Sequence, residues 1–388
     1  MEKVKRPIKV AFLDYSNIFA GAERVLSTII SNIDRREIEP VLIFRYPQEH
    51  HKGYDKLDCR KIHLYDGKKW WMGSDRWRHP LRGTDFLKRN VMGWKLRRLL
   101  KKEKIDILHV NLLRPDCFAL LRPTHIAGIA VIGHQRAEEW DWMPPRRVQE
   151  QCDMIVCVSE FVKNHMEQTG VHTKIKVVYD SIDIKHFNSE LSREEAKREL
   201  GFPEGSVLIS SVGQLSLHKG HDNAILAFDR LAGKFPKAVL YIAGGGSKEE
   251  LAYYKGIADE CRNANGRIFF SEKQVSNIKD VYRASDLVLS LTKEGEAFGL
   301  VPYEAALMGS QFIAPDMGAV KEFIVDGESG LLVDTNDLDA VTAKMEWALT
   351  HAVENEEMNV RAVEIVKSRI TPERMVAGLT GVYKELKS

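Results

Sequence analysis

The chain has 388 residues, of which 44% are hydrophobic and 29% are charged, and its formal net charge is +2. These proportions are typical of a globular protein and exclude a disordered, collagen-like or coiled-coil chain. No apolar run approaches the roughly 20 residues of a membrane span, and no signal-peptide apolar region follows the N-terminus. Five cysteines without a CxxC pair favour buried thiols in a reducing compartment, so a cytoplasmic location is expected.

The charge is distributed unevenly along the chain. Residues 1–190 contain 34 Lys and Arg against 25 Asp and Glu, so this half carries about +9 and the remainder about −7. A basic half and an acidic half indicate two domains with different roles. The basic half suits an anionic acceptor or a membrane surface. Because the sequence contains no nucleic-acid-binding motif, nucleic acid is not expected as a partner.

Short β-branched runs alternate with segments of helical periodicity through most of the chain, which predicts parallel sheets with helices on both faces. The predicted strands, in chain order, are Ile8–Leu13, Val41–Arg45, Ile105–Val110, Ala130–Gly133, Met154–Val158, Ile175–Val178, Val207–Val212, Ala238–Ala243, Ile268–Phe270, Leu287–Ser290, Gln311–Ala314 and Leu331–Val333. The pattern restarts after a polar stretch, so we expect one domain over residues 1–190 and a second over 191–370. A final helix over about 371–387 begins with a Thr-Pro pair that suits a helix start.

Doubly wound sheets bind ligands outside the carboxyl ends of their strands, and two segments of the first half fall there. Gly21 lies just beyond the first strand and opens the first helix, where free N–H groups can face a phosphate. His134 and Arg136 follow the strand that ends near Gly133. An ordinary tight turn and a structural histidine would give the same residues, so both alternatives stay open at this point.

Two segments of the second half fall at equivalent places. Lys219 and Gly220 follow the strand 207–212 at the start of a helix, where a lysine suits an anionic phosphate, although a lone lysine is usually a solvated charge. Three glycines at 244–246 follow the next strand. They permit close approach of a ligand and are equally well explained as a flexible turn.

The segment 294–309 carries the densest combination of chemically informative residues. Its helix is expected to begin near Leu300, since Pro302 fits a first helical turn, which leaves Glu296 in the preceding loop and Glu304 in the second turn. Carboxylates bind neighbouring hydroxyls, and free N–H groups near Gly299 can cap a diphosphate. Two carboxylates flanking an anion site favour a nucleotide sugar as ligand; two solvated glutamates near a helix N-terminus are the alternative.

Several other chemistries find no support in the sequence. It contains no GxSxG elbow, no GxxxxGK[ST] phosphate loop and no HExxH zinc motif. The acidic residues Asp180 and Asp183 have the wrong spacing for an Asp-x-Asp metal site. We therefore expect a mechanism that needs neither a metal nor a cofactor.

The order of these motifs resembles glycosyltransferase family 4, retaining enzymes of the GT-B fold, over nearly the whole chain. The family's Glu-x7-Glu signature matches Glu296 to Glu304, and its lysine-glycine step matches Lys219 and Gly220. Residues 282–286 look like its Tyr-x-x-Ala-Asp segment. The resemblance implies two Rossmann-like, doubly wound parallel-sheet domains facing a central cleft. The C-terminal helix, about 371–388, would cross back to the N-domain and complete it.

The resemblance also implies a set of site residues, with catalytic positions at Glu296, Lys219 and His134. The donor contacts that it implies are Gly21, Gln214, Lys219, Phe298, Gly299, Leu300, Glu304, Phe270 and Lys273. Lys219 would hold the donor diphosphate, Glu304 the ribose hydroxyls and Glu296 the transferred sugar. His134 would line the sugar site, and the base would dock near 270–273.

Gln214 departs from the family, which usually has an arginine on the diphosphate at this position. We expect the phosphate contacts to be weaker, or to be supplemented by Arg136. The function implied is a retaining, metal-independent transfer of a sugar from a UDP- or GDP-sugar to a glycan, glycolipid or other hydroxyl acceptor, in surface polysaccharide or glycoconjugate synthesis. The alternatives are a sugar-nucleotide epimerase of the same fold and a catalytically silent sugar-nucleotide-binding subunit, which the neutral Gln214 keeps open.

The segment 76–104 carries eleven Lys and Arg against two acidic residues. Four of its apolar residues share one helical face, namely Met92, Leu96, Leu99 and Leu100. One interpretation is a surface helix that packs this face on the sheet. The other is a peripheral contact with anionic lipid at the inner face of the membrane, with Trp77 and Trp94 among the headgroups.

Overall fold

The computed structural model describes residues 6–14, 16, 19, 21–44, 52–64, 83–114, 117–136, 144, 146–271, 275 and 277–388. The chain divides into two compact units, Met1–Ser181 with Pro372–Ser388, and Ile182–Thr371. Each unit contains one parallel sheet, and each is described by itself.

The sheet of the first unit has seven strands, β1 to β7: Ile8–Asp14, Ile38–Phe44, Arg60–His63, Ile107–Val110, Ala130–Gln135, Met154–Cys157 and Ile175–Val177. Their order across the sheet is β3-β2-β1-β4-β5-β6-β7, with all neighbours parallel. Helices α1 to α5 accompany these strands: Gly21–Asn32, Gly83–Lys102, Phe118–Ile126, Arg146–Gln149 and Glu160–Gln168. Strands β4 and β6 are buried along their whole length, as expected of strands with helices on both faces.

The sheet of the second unit has six strands, β8 to β13: Val207–Val212, Ala238–Ala243, Ile268–Phe270, Leu287–Leu289, Gln311–Pro315 and Leu331–Val333. Their order is β10-β9-β8-β11-β12-β13, again parallel. Helices α6 to α12 of this unit are, in chain order, Arg193–Glu199, His221–Ala232, Lys248–Glu260, Ile278–Ala284, Val301–Leu307, Leu338–Thr350 and Ala352–Arg369. The core lies between the sheet and its helices, where Phe228, Leu240 and Met345 belong to one buried apolar cluster.

The C-terminal helix α13, Pro372–Lys387, belongs to the first unit. It packs against α1, and Lys384 Nζ lies 2.7 Å from Glu37 Oε1. Glu385 pairs with Lys174 and Lys176 on either side of the start of β7. Among the helices in the described ranges, none combines the length and the apolar character that crossing a bilayer requires.

All twelve predicted strands occur, and one further strand, Arg60–His63, was missed. Among the described strands it pairs with β2 alone, at the edge of the sheet, and its two basic residues give no apolar run from which it could be recognised. Arg45, the predicted end of the second strand, lies outside the described residues.

The compact division falls at 181/182, before the boundary expected from the sequence at 190/191. Residues 182–190 attach to the second unit. Ile182 N–H donates to Ile370 O at 3.2 Å, and the ring of Phe187 lies 6.2 Å from that of Tyr282. A polar segment with no strand or helix of its own therefore packs on the unit that follows it.

Candidate active site

An ion pair joins two of the predicted site residues of the second unit. Lys219 ends a single 3-10 turn, Leu217–Lys219, after β8, and Glu296 lies in the loop between β11 and α10. Lys219 Nζ is 2.5 Å from Glu296 Oε1, and Thr292 Oγ1 donates to the same oxygen at 3.0 Å. Burial raises the pKa of Glu296, but the charge and hydrogen bond of Lys219 outweigh it, so the pKa is lowered. Glu296 is therefore a carboxylate at neutral pH.

Two glycines give this pair its geometry. Gly220 has φ +68°, and a Cβ there would lie 1.9 Å from Leu291 O, so only glycine lets the lysine turn approach the strand-end loop this closely. Gly299 has φ +74°, and its Cβ would lie 2.7 Å from Glu296 Oε2. A side chain at either position would displace the groups that hold the ion pair.

Glu304 is buried in α10, which begins at Val301 with Pro302 in its first turn, as the sequence predicted. Its Oε2 accepts a hydrogen bond from the Tyr282 hydroxyl at 2.7 Å. Tyr282 comes from α9, and it is itself almost fully buried. The carboxylate is thus held in place by a side chain from the helix that precedes β11.

The Tyr-x-x-Ala-Asp match ends at Asp286, which has a structural role in the second unit. One carboxylate oxygen accepts from Leu208 N at 2.8 Å and pairs with Lys197 Nζ at 3.0 Å. The other oxygen lies 3.1 Å from Arg193 Nη1. Asp286 therefore ties α6 to the start of β8 and β11, outside the chemistry of the site.

The other predicted donor residues differ in what they offer a ligand. Gln214 is exposed, and its backbone carbonyl oxygen is 3.0 Å from His221 Nε2. The ring of Phe298 is buried and lies 5.9 Å from that of Phe323. Leu300 is the N-cap residue of α10.

The predicted base site at Phe270 and Lys273 is described only in part. Phe270 is half-buried at the end of β10, and Lys273 lies outside the described residues. Phe270 borders a cavity of about 290 Å³ whose other walls come from α8 and from the turn at 264–266 that enters β10. Because these walls are not at the carboxyl ends of the strands, we assign this cavity no part in the site.

In the first unit, three polar residues lie side by side at the carboxyl edge of the sheet. Leu13 of β1 pairs in register with Val110 of β4, which pairs with Gly133 of β5. The next residues, Asp14, Asn111 and His134, therefore lie level on neighbouring strands. The strand order reverses between β1 and β4, and ligands of doubly wound sheets bind at such a point. The same edge carries Gly21 at the start of α1; a Cβ there would meet no described atom within 4 Å.

His134 is fully buried and belongs to a hydrogen-bonded chain. Its Nδ1 lies 2.9 Å from His109 Nε2 and 3.2 Å from Arg136 Nη2, and His109 Nδ1 lies 2.7 Å from the Tyr383 hydroxyl. Arg136 also pairs with Asp180 and donates through Nε to a backbone carbonyl. The expectation that Arg136 supplements the charge on a diphosphate does not fit, because its side chain is buried and all three of its nitrogens are engaged.

The pKa of Asp14 is unusually high for a carboxyl group. Burial and, second, the charge of Glu23 raise its pKa to about 7. A hydrogen bond from Ser16 N–H opposes this shift. Asp14 was not singled out from the sequence, because a single acidic residue at a strand end carries no recognisable pattern.

Other residues also organise the site; of these, Tyr282 was noted from the sequence only as part of the Tyr-x-x-Ala-Asp match, and the rest were missed. Thr292 and Tyr282 orient the two glutamates, and His109 and Tyr383 contact or support His134. For Thr292 and His109 the available signal was position alone: Thr292 lies in the loop after β11, and His109 lies in β4. In the part of the chain that the structure describes, no group of three or more His, Cys, Asp or Glu side chains is arranged to hold a metal ion. The metal-independent mechanism stays a prediction.

Two sequence families match the chain, each over one half. The family described as Glycosyltransferase Family 4 matches residues 19–186, and the family described as Glycosyl transferases group 1 matches residues 192–367. The chain belongs to glycosyltransferase family 4. The predicted fold class, GT-B with two Rossmann-like parallel-sheet units, is confirmed.

Curated proteins match parts of the chain. A D-inositol 3-phosphate glycosyltransferase of Mycolicibacterium smegmatis is 32% identical over 50% of this chain and 44% of its own length. The lipopolysaccharide core biosynthesis mannosyltransferase LpsB of Rhizobium meliloti is 31% identical over 42% of this chain and 48% of its own. The matched region thus spans about half the length of these curated relatives.

A solved structure matches the fold over nearly the whole chain. Anabaena Alr3699/HepE in complex with UDP-glucose has a TM-score of 0.81 at 16% identity, covering 97% of this chain and all of its own. At this identity the likeness concerns the fold.

Proposed function

We propose that this family 4 chain is a retaining, metal-independent glycosyltransferase. In this proposal it transfers a sugar from a UDP- or GDP-sugar to a hydroxyl of a glycan, a glycolipid or a similar acceptor, in surface polysaccharide or glycoconjugate synthesis. The observation that carries the proposal is the contact of Lys219 with Glu296, at the head of the Glu-x7-Glu signature. The relatives support it, since one is named a mannosyltransferase and a solved structure of the same fold holds UDP-glucose.

The residues of the second unit suit the cleavage of a sugar–diphosphate bond. As that bond breaks, negative charge grows on the leaving phosphate and positive charge on the sugar ring. Lys219 would stabilise the phosphate, helped by the amides of Phe298, Gly299 and Leu300, and Glu296 would hold the sugar hydroxyls. Groups that are already in place stabilise the developing charges more than the ground state, and this difference is what accelerates the reaction.

The two glutamates are expected to divide the donor between them. Glu304 is fixed by Tyr282 and sits deeper than Glu296, which suits directional hydrogen bonds to the paired hydroxyls of a ribose. Gln214 offers a neutral amide where an arginine is usual, so Lys219 carries most of the side-chain charge compensation. In the first unit, His134 would contact the transferred sugar.

The first experiment identifies the donor. The thermal midpoint of the full chain is measured against a panel of UDP- and GDP-sugars, since a ligand at 100 times its Kd stabilises the native fold by about 2.7 kcal/mol. We expect one donor to raise the midpoint in the wild type and much less in Lys219→Ala. Lys344→Ala is the matched control, because its ammonium pairs with Asp326 at 2.9 Å with similar exposure. A panel without any shift would contradict the proposal.

The second experiment separates the reaction classes. The donor found above is incubated alone and with a panel of glycan and lipid-linked acceptors. A new glycoside that retains the anomeric configuration of the donor, seen by NMR, supports the proposal. An inverted glycoside refutes retention, an altered sugar formed from the donor alone indicates the epimerase, and binding without any product indicates a silent subunit.

We further propose a peripheral membrane contact through the outer face of α2, at the inner surface of the membrane. Of the four apolar residues that share a face of this helix, Met92, Leu96 and Leu100 are buried and Leu99 is half-buried, whereas Trp94 is 48% exposed. The guanidinium of Arg97 lies over the Trp94 ring at 4.7 Å. The exposed residues of α2 from Val91 onward form one stripe at helical spacing. This stripe is what we call the outer face of α2, and it consists of Val91, Trp94, Lys95, Arg98, Lys101 and Lys102. Trp77 lies outside the described residues.

This stripe combines an aromatic side chain with clustered positive charge, which favours anionic lipid. Each basic residue near an anionic surface contributes about 1 kcal/mol, and salt screens such contacts over about 10 Å at 0.1 M. The test is co-sedimentation with neutral and anionic vesicles at low and high salt. Binding should be lost when Lys95, Arg97, Arg98, Lys101 and Lys102 are all changed to Gln.

The matched control removes the same charge from exposed positions of the second unit, Arg198, Lys237, Lys248, Lys255 and Arg262. We expect this control to bind anionic vesicles like the wild type. Failure of the wild type to bind them at low salt would contradict the membrane contact. Equal loss in the two five-fold variants would show that total charge, not the outer face of α2, attracts the lipid.

A further inference from the structure

A buried chain of side chains runs from the C-terminal helix to the carboxyl edge of the first sheet. The Tyr383 hydroxyl of α13 lies 2.7 Å from His109 Nδ1 in β4, and His109 Nε2 lies 2.9 Å from His134 Nδ1 in β5. Arg136 Nη2 lies 3.2 Å from the same His134 nitrogen. Tyr383, His109 and His134 are all fully buried. Each contact is therefore made without competition from water.

Arg136 determines which ring nitrogens of His134 and His109 carry a proton. A guanidinium only donates, so His134 Nδ1 must accept and carries no proton. His109 Nε2 faces that lone pair and must be the protonated nitrogen of its ring. His109 Nδ1 is then an acceptor, and the Tyr383 hydroxyl donates to it. One assignment alone satisfies the three contacts.

The same reasoning places a proton on Nε2 of His134. In a neutral ring with Nδ1 unprotonated, Nε2 carries the hydrogen. His134 Nε2 is buried and has no hydrogen-bond partner among the described residues, and neither has Asn111 Oδ1 on the neighbouring strand. Leaving a buried donor unsatisfied is unfavourable, so a group of this kind at a ligand-binding edge indicates an outside partner.

The charge state of the two rings agrees with this geometry. Burial and the charge of Arg136 lower the pKa of His109 to about 3 and the pKa of His134 well below its usual value. Asp180 pairs with the Arg136 guanidinium through Nη1, whereas His134 faces Nη2. Both imidazoles therefore stay neutral throughout the physiological range.

We propose that His109 and Tyr383 are positioning residues that fix His134 as the Nε2–H tautomer, so that His134 offers a hydrogen-bond donor to an oxygen of the ligand. The inference rests on the proposed function only for the identity of that ligand, a hydroxyl of the transferred sugar. The C-terminal helix thereby contributes to the site through Tyr383, without touching the ligand. An imidazole with Nε2 as acceptor would instead select for a donating hydroxyl or an amine.

The direct test reads the tautomers by NMR in the full chain, without substrate. Long-range proton–nitrogen correlation on protein labelled with ¹⁵N-histidine distinguishes protonated from unprotonated ring nitrogens. The chain has 13 histidines, so spectra of His109→Gln and His134→Gln assign the two signals. We expect both rings to be neutral and protonated at Nε2 from pH 6 to 8. A protonated Nδ1 on His134, or a titration in this range, would overturn the proposal whatever the enzyme transfers.

Tyr383→Phe tests the connection to the C-terminal helix. Loss of its O–H should shift the Nδ1 resonance of His109 toward that of a nitrogen without a hydrogen bond. The matched control is Tyr254→Phe, the same change at a fully buried tyrosine of the second unit, whose hydroxyl lies 2.9 Å from Ser216 O. An unchanged His109 signal in Tyr383→Phe, or an equal shift in the control, would overturn the connection.

The activity test compares two replacements of His109. Gln keeps an N–H that can donate to His134 Nδ1, whereas Leu removes it. Because a buried hydrogen bond contributes about a factor of 3 to 10, we expect His109→Leu to lower kcat/KM by about tenfold and His109→Gln by less than about threefold. Equal losses in variants of equal Tm would show that His109 only fills space.

Discussion

Glu296 competes for the ammonium that a diphosphate needs, so we expect Glu296→Gln to bind nucleoside diphosphates more tightly than the wild type while losing turnover. Lys219 Nζ lies 2.5 Å from the carboxylate, and an anion on its far side would lie about 5 Å from that carboxylate. Like charges at this distance repel by about 0.8 kcal/mol in water and about 3 kcal/mol at an effective dielectric of 20. The side chains of the pair are 25% and 18% exposed, which favours the lower value.

Removing the charge should therefore strengthen binding by about 1 kcal/mol, a factor of about five. Turnover should fall by about 10²–10³-fold, the scale of losing one preorganised electrostatic group. Lys219→Ala should show the same loss in kcat/KM but weaker binding, because it removes the cation itself. These opposite changes in affinity are the distinguishing result, since a loss of folded protein would weaken both variants alike.

Titration calorimetry with UDP and GDP at low salt measures the affinities, and the donor assay measures turnover. Glu346→Gln is the control, because it removes a carboxylate of α11 that pairs with Lys234 in the turn after α7, within the same unit. It should leave both quantities unchanged. If Glu296→Gln weakened nucleotide binding as much as Lys219→Ala, the carboxylate itself would bind the nucleotide and the reasoning would be refuted.

Three further predictions follow from the other groups of the site. Glu304→Gln should weaken the binding of nucleoside diphosphates but not of pyrophosphate, which has no ribose; equal loss of both by calorimetry would contradict its role. Activity should survive excess EDTA, and rescue of a chelated enzyme by Mg²⁺ or Mn²⁺ would refute the metal-independent mechanism. Asp14 has its pKa raised to about 7, so folding binds a proton there and stability falls as pH rises from about 4 to 7. Asp14→Asn removes this pH-dependent loss. The free energy of unfolding in urea of Asp14→Asn, relative to that of the wild type, should therefore rise by about 2–3 kcal/mol between pH 5 and 8. A difference between the two proteins that does not change with pH would contradict the raised pKa of Asp14.

The sequence by itself determined the elements of this protein and the place of its signature. Strands such as Val207–Val212 have the predicted bounds, because a buried parallel strand needs an apolar, β-branched run that is visible locally. The start of α10 was likewise predictable from Pro302, whose ring and missing N–H fit the first helical turn. The strand Arg60–His63 was not predicted, because it is its pairing with β2 at the sheet edge, and not its composition, that makes this segment a strand.

Only the tertiary structure decided which groups meet. Arg136 looks like a free cation in the sequence, but Asp180 from a distant loop engages it and buries it. The protons of His109 and His134 depend on Arg136 and on Tyr383, which lies 274 residues from His109 along the chain. Periodicity and turn chemistry act over a few neighbouring residues, whereas pKa values, tautomers and ion pairs depend on what the folded chain places within a few ångströms and shields from water.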